Sequence, residues 1–63
     1  MEQLLLKGEA VAERLQIGRS RVYLMMARGE LPVIRIGKSV RVPARALEEW
    51  VERQAREGEQ AAV

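Results

Sequence analysis

The stretch RGELPVIRIGKSVRVP, residues 28–43, holds the signals that decide the fold. Pro32 cannot continue a helix, and the residues after it form two runs, VIRI and VRV, that are rich in β-branched side chains. The three-residue connection GKS, residues 37–39, contains a glycine and separates the two runs. This arrangement predicts a β-hairpin over residues 33–42.

The charges of the predicted hairpin indicate the kind of partner it meets. Strand alternation projects Arg35 and Arg41 to one side, with Lys38 at the tip. Three cations on one face of a two-stranded ribbon repel one another unless an anion lies against them. We therefore expect the hairpin to be a wing that contacts DNA phosphates or the minor groove.

Two short helices are predicted before the hairpin, at about residues 8–16 and 19–28. Each places apolar side chains at helical spacing: Val11, Ala12 and Leu15 in the first, and Val22, Met25 and Met26 in the second. Gly29 supplies the left-handed residue that ends many helices. Two helices joined by about three residues that include Gly18 predict a helix-turn-helix, with an ordinary helical hairpin as the alternative.

A third helix is predicted to follow the hairpin and to open with Pro43 at its first position. Its apolar side chains recur at helical spacing: Ala46, Leu47, Trp50 and Val51, followed by Gln54. Trp50 is expected to be largely buried as the largest anchor of the core. The neighbouring Glu48 and Glu49 diverge by about 100° around the helix, so we expect solvated charges and not an acid–base pair.

The order of these elements predicts a mainly α fold with a small β-hairpin, a winged helix-turn-helix, over residues 1–57. Residues 3–6 are expected to form a short strand or an apolar segment packed under the domain. Residues 58–63 have no periodicity and are expected to be a flexible C-terminal tail. A chain of this length makes one domain.

The composition argues against catalysis. The 63 residues include no histidine and no cysteine, which removes the usual general base, the commonest metal ligand and any thiolate site. We expect no enzymatic activity, no metal and no cofactor. No apolar run is long enough to span a bilayer and no signal-peptide pattern is present, so we expect an intracellular, cytoplasmic protein.

The charges are segregated along the chain. Residues 14–45 carry eight basic side chains against Glu30 alone, a net charge of +7, whereas residues 1–13 sum to −2 and residues 46–63 sum to −3. A basic block between acidic ends predicts one surface that binds a polyanion, with an ordinary arginine-rich surface as the alternative.

The outer face of the second helix suits the major groove of DNA. Opposite its apolar stripe lie Ser20, Leu24 and Ala27. Small side chains there can approach thymine methyl groups, and neighbouring arginines can form bidentate hydrogen bonds with O6 and N7 of guanine. We predict a recognition helix over residues 19–28 and a wing over residues 33–42. The predicted DNA-binding residues are Arg19, Ser20, Arg21, Tyr23, Leu24, Arg28, Arg35, Lys38, Ser39 and Arg41.

Most of the chain resembles a known family. The segments AVAERLQIGRSRVY (10–23), RGELPVIRIGKSVRVP (28–43) and ALEEW (46–50) are similar to excisionase-type winged helix-turn-helix proteins and to the DNA-binding half of the mercury-regulator (MerR) superfamily. The compound pattern of GELP, RIG, RVP and a closing W carries the resemblance. It implies a non-enzymatic DNA-binding protein, either an excisionase (a recombination directionality factor) or a small transcription regulator.

The resemblance also bears on specificity and partners. The chain departs from the family pattern at Lys7, Arg14, Gly18, Arg21 and Leu24, so its base preference is not implied. The family implies an integrase, another recombinase or RNA polymerase as a protein partner, and cooperative binding at directly repeated sites. A monomer is expected in solution because the core needs the apolar face of the third helix.

Two other functions remain open at this point. The basic surface can instead bind an acidic protein, as in an antitoxin or an accessory subunit, and such a module would not prefer one duplex over another. RNA binding is a weaker option because the chain lacks a platform of exposed aromatic side chains on which unpaired bases stack. Sequence-specific binding of double-stranded DNA is the leading hypothesis.

Overall fold

Three helices and a small antiparallel sheet make up a winged helix-turn-helix, which confirms the predicted fold. The computed structural model describes residues 3–61, with side chains described over residues 3–58. The elements in chain order are β1 (Leu5–Leu6), α1 (Gly8–Leu15), α2 (Arg19–Ala27), β2 (Ile34–Ile36), β3 (Ser39–Pro43) and α3 (Ala44–Ala61). α1 and α2 are the helix-turn-helix, and β2 with β3 forms the wing.

The ends of α1 and α2 follow from local backbone chemistry. α1 ends because Gln16 adopts a left-handed backbone, with φ 58°, and the N–H of Ile17 donates to the carbonyl of Ala12 at 3.1 Å. α2 ends at Ala27 because Gly29 adopts a left-handed backbone, with φ 75°, and the N–H of Glu30 donates to the carbonyl of Met25 at 2.9 Å. This second arrangement is a Schellman motif, and it confirms Gly29 as the predicted helix stop.

The sheet has the strand order β1-β3-β2 and is antiparallel throughout. Leu5 pairs with Pro43 and Leu6 pairs with Val42, so the apolar lead-in is a strand on the side of β3 away from β2. Pro43 is thus the last residue of β3, and the prediction that it opens the third helix is wrong: α3 begins at Ala44. Proline is tolerated at a strand end because it gives up only one ladder hydrogen bond.

The wing turns more tightly than its sequence suggested. Ile36 pairs with Ser39, so the connection has two residues, Gly37 and Lys38, and not the three predicted. Gly37 has φ 62°, as the first residue of a tight hairpin turn often requires.

The tighter turn changes which side chains share a face. Arg35 lies opposite Val40, and Ile34 lies opposite Arg41. Residues directly opposite in a sheet point to the same side, so Arg35 and Arg41 project from opposite faces of the wing. The prediction that they project together is therefore wrong, because a shift of one residue in register moves a side chain to the other face.

The core lies between the sheet and the three helices. Its buried members are Leu6, Val11, Ala12, Val22, Met26, Leu31, Val42 and Leu47. Trp50 packs against this cluster but is only half-buried, so it is a rim residue and not the predicted central anchor. The core is small and is filled by aliphatic side chains, and Trp50 stands at the point where α3 leaves it.

α3 is longer than predicted and leaves the domain. Residues 51–58 are all exposed. Val51, which was expected on the apolar face of this helix, is 40% exposed and lies outside the core. The helix continues to Ala61, so residues 58–61 of the predicted tail are helical, whereas residues 62–63 lie outside the described residues. Within residues 3–61, no helix combines the length and the apolarity needed to cross a bilayer.

Candidate nucleic-acid interface

α2 has one buried face and one face open to solvent. Val22 and Met26 lie in the core and Met25 is half-buried. The opposite face presents Arg19, Ser20, Tyr23, Leu24 and Ala27, all of them exposed. This outer face is continuous along the helix because its members are spaced by one, three and four residues. It offers cationic, hydroxyl and apolar side chains to whatever lies against it.

A tyrosine ties α2 to the start of α1. The ring of Tyr23 lies so close to Gly8 that a Cβ built there would be 2.6 Å from the ring atom Cε1. The Tyr23 hydroxyl donates a hydrogen bond to the carboxylate of Glu9. Gly8 is therefore required for this close approach, and the two contacts together hold the orientation of α2 relative to α1.

The Tyr23–Glu9 hydrogen bond changes the acidity of both groups. It lowers the pKa of Glu9 below 4.5, with help from the charges of Arg19 and Lys7 and against a smaller effect of burial. The same bond raises the pKa of Tyr23 above 10.0 because it favours the protonated phenol. Near neutral pH the pair is a phenol donating to a carboxylate.

An open groove lies at the N-terminal end of α2. Lys7, Arg19 and Arg41 line it together with Glu9 and Gly18. The Nη1 atom of Arg41 donates a hydrogen bond to the backbone carbonyl of Val40 at 2.9 Å, which keeps the side chain close to the sheet. Glu13 also lines the groove, so three positive charges face two carboxylates, and the groove keeps a net positive charge that suits a phosphate.

Within residues 3–58, Lys7, Arg19 and Arg41 of the groove form no ion pair. Among the described side chains, the ion pairs are Arg28–Glu30 at 3.8 Å and Arg56–Glu52 at 3.7 Å, and both are largely exposed. Exposed pairs of this kind contribute little to stability. The cationic groove therefore keeps its charge for an external anion, whereas Glu30 partly offsets the charge of Arg28.

The wing distributes its charge over two faces and a tip. Arg35 and Lys38 are exposed, and Arg41 and Ser39 are half-buried. Arg41 turns toward the cationic groove, Arg35 lies on the other face and Lys38 occupies the turn.

The ten predicted site residues form one main group of seven and three outliers. Seven of them lie on the outer face of α2 or along the side of the wing that meets the groove: Arg19, Ser20, Tyr23, Leu24, Lys38, Ser39 and Arg41. Arg21 and Arg28 flank α2 on the side of Leu24. Arg35 is separated from Arg41 by the thickness of the sheet.

Three residues of this region were not predicted as part of a site. Lys7 was noted only as an unusual residue before α1, and it has no side-chain capping bond. Gly8 and Glu9 were assigned to an ordinary helix start, although they contact Tyr23. A glycine inside the first turn of a helix is a sign of close approach, but nothing in the sequence points to a partner fourteen residues away.

The sequence model of the family described as "Helix-turn-helix domain" matches residues 5–55, which run from β1 into α3. The match thus spans both helices, the sheet and the part of α3 that packs on the core.

Curated relatives cover a similar range. A protein of Saccharopolyspora erythraea named "Probable excisionase" is 35% identical over 51 residues, which are 81% of this chain and 52% of that protein. A protein named "Putative DNA-binding protein", found in two strains of Mycobacterium tuberculosis, is 40% identical over 50 residues, 79% of this chain and 63% of that protein. The chain therefore spans about half to two thirds of the length of these relatives. No solved structure matches the chain significantly.

Proposed function

The chain belongs to the helix-turn-helix domain family, and from that premise we propose that it binds double-stranded DNA in a sequence-specific way. α2 enters the major groove as the recognition helix, and the wing lies on the sugar-phosphate backbone and the minor groove. The output is binding and the shaping of DNA, not catalysis.

The observation that carries this proposal is the junction of two surfaces. The exposed outer face of α2 runs directly into the cationic groove, where Lys7, Arg19 and Arg41 form no ion pair with any side chain of residues 3–58. A recognition helix reads base edges, and cations beside its N-terminus hold the flanking phosphates. The two tasks need two adjacent surfaces of this kind.

The outer face supplies the groups for base contacts. Arg19 and Arg21 have the fork geometry that pairs with O6 and N7 of guanine, and Ser20 can bond a base edge or a phosphate. Leu24, which is 49% exposed, and Ala27 supply apolar contact to thymine methyl groups. Tyr23 and Arg28 lie at the edges of this face, and we assign them to contacts with the sugar-phosphate backbone of the DNA.

The wing enters the minor groove tip first. Its cations then reach both walls of the groove, because Arg35 and Arg41 project from opposite faces and Lys38 lies between them. The two walls are the backbones of the two DNA strands, so each arginine contacts a different strand. Ser39, next to the tip, adds a hydroxyl to the same contact.

The biological role that fits is that of an excisionase or a small transcription regulator of the excisionase and MerR type. The similarity to a protein named "Probable excisionase" supports the first role. The partner would then be an integrase or another recombinase, and for a regulator it would be RNA polymerase. In either role the protein, of bacterial or phage origin, would act on DNA at the nucleoid of a bacterial cell.

The protein is proposed to be a monomer that gains cooperativity on directly repeated sites. Leu47 is buried in the core and is not available for a dimer seam, and the exposed half of α3 after Trp50 carries Val51 as its large apolar residue. Acidic side chains of that half, Glu52 and Glu57, can meet the basic surface of a neighbouring copy on DNA.

The test is an unbiased selection of bound duplexes from a random pool, followed by gel shifts with the selected site and a scrambled one. We expect a defined site and a preference for it of at least about a thousandfold. Arg19→Ala should weaken binding to the selected site, whereas Arg53→Ala, which removes an exposed cation from α3, should not. Binding without preference among duplexes would favour a module for an acidic protein partner and contradict the proposal.

A further inference from the structure

The wing carries an apolar surface that its cations do not explain. Ile34 is 39% exposed and Ile36 is 57% exposed, and all three residues of β2 lie open to solvent. Ile36 is the last residue before the turn and lies opposite Ser39, whose short side chain gives it little apolar cover. An isoleucine is thus held at the tip of the wing with most of its side chain in water.

The isoleucines lie on the side of the wing that turns toward the cationic groove. Ile34 is directly opposite Arg41 in the sheet, and Ile36 follows two residues later on the same face. Arg41 in turn lines the groove with Lys7 and Arg19. The exposed apolar face therefore opens on the surface that is proposed to bind DNA, with Lys38 at its outer end.

We propose that Ile36 is an apolar wedge that presses into the DNA minor groove and bends the duplex under the wing. The inference rests on the proposed function and adds to it a residue that selects sequence by deformability. The minor groove has no thymine methyl groups, so an apolar side chain cannot read base edges there. It can instead part a flexible base step, and pyrimidine–purine steps yield most easily. Isoleucine suits this task because branching at Cβ restricts its χ1 rotamer.

The neighbouring charges make such an insertion possible. Lys38 follows the turn glycine, and Arg35 and Arg41 project from the two faces, so positive charge surrounds the exposed isoleucine. Cations at these positions neutralise the phosphates that would otherwise repel each other when the groove is deformed. A purely apolar protein partner would leave the three cations without counter-charges.

The experiment measures bending and affinity on the selected duplex. Energy transfer between dyes at the two duplex ends reports the bend, and Ile36→Ala is compared with Val51→Ala, which truncates another exposed aliphatic residue, on α3 and away from the wing. We expect Ile36→Ala to lose most of the bend and to bind roughly tenfold more weakly, because several apolar carbons no longer leave water. The salt dependence should stay that of the wild type, since no charge is removed.

Base analogues identify the groove. Inosine·cytosine pairs keep the minor-groove edge of A·T pairs and alter the major-groove edge. Placed under the wing, they should leave affinity and bending unchanged, and placed under α2 they should weaken binding. The opposite pattern would show that the wing reads the major groove and would overturn the proposal.

Two further results separate this inference from the function on which it rests. If the wild type prefers a selected site but Ile36→Ala bends and binds it as Val51→Ala does, the wedge is refuted and the proposed function stands. If the wild type self-associates without DNA and Ile36→Ala abolishes this, the exposed face joins two copies and the wedge is again refuted. A wild type with no duplex preference refutes the proposed function itself.

Discussion

α2 and β2 are both proposed to touch DNA, but they are held in place by different means. α2 buries Val22 and Met26 in the core, and Tyr23 fixes it to the start of α1. β2 buries none of its three residues and is held by its pairing with β3. The orientation of α2 is therefore tied to the stability of the domain, whereas the wing side chains can change without changing the fold.

The largest expected effect contrasts one buried and one exposed residue of these two elements. Met26→Ala should lower the free energy of unfolding by about 2–5 kcal/mol, because it removes buried carbons and leaves a cavity. Ile36→Ala should change it by less than about 0.5 kcal/mol, because the side chain is already in water. Urea denaturation of the two variants checks this, and equal losses would mean that β2 is as firmly anchored as α2.

The next effect concerns the turn of the wing. Gly37→Ala forces a side chain into a positive φ, at a cost of about 1–2 kcal/mol, and should weaken DNA binding by loosening the hairpin. Gly58→Ala is the control, since this helical position is open and alanine there should raise stability by up to about 1 kcal/mol. Thermal unfolding and gel shifts give both quantities. Undiminished DNA binding by Gly37→Ala would show that the turn shape is not needed.

A smaller effect tests the two faces of the wing. Arg35→Ala and Arg41→Ala should each lower the slope of log affinity against log salt by about one, and the double variant by about two. Because the two arginines project from opposite faces, their losses should add. Hydroxyl-radical footprinting should show each single variant losing protection on a different DNA strand. Loss on the same strand for both would contradict entry of the wing tip first.

The smallest effect comes from the link between α1 and α2. Tyr23→Phe keeps the ring on Gly8 and removes the hydrogen bond to Glu9. The folded protein favours ionised Glu9, so the stabilisation is complete above pH 4.5 and is lost as pH falls through the lowered pKa. The folded protein also favours protonated Tyr23, so this stabilisation is complete below pH 10.0 and is lost as pH rises through the raised pKa of Tyr23.

The melting temperatures measure this contribution. Wild type should melt slightly higher than Tyr23→Phe between the two pKa values, and the curves should converge at both acidic and alkaline extremes. A difference that is independent of pH would assign the effect to packing and not to the hydrogen bond.

The helices could be predicted from the sequence because their signals are local. Apolar spacing and Gly29 are enough to place α2 to within a residue, and the structure confirms its buried stripe at Val22 and Met26. The face of each wing arginine could not be predicted in the same way. The sequence GKS at residues 37–39 is compatible with a turn of two residues or of three, and only the pairing of Ile36 with Ser39 decides between them.

The groove was beyond prediction because its members come from three elements. Lys7, Arg19 and Arg41 are brought together by the pairing of β1 with β3 and by the packing of α1 on α2. The burial of Leu31 also depends on tertiary packing. This residue lies between α2 and β2, where no helical or strand periodicity marks it as a core position. The burial of Trp50 is lower than its size predicts, because α3 leaves the core at that point.

The outward run of α3 has a mechanical consequence. Residues 51–61 continue as a helix beyond Trp50, so they carry their end about 16 Å from the core at 1.5 Å per residue. A helix also transmits rotation, and each residue added or removed in this run turns whatever is joined to its end by about 100° around the axis. For a group joined to the end of α3, the length of the helix would set its reach, and the number of residues would set the direction it faces relative to the domain.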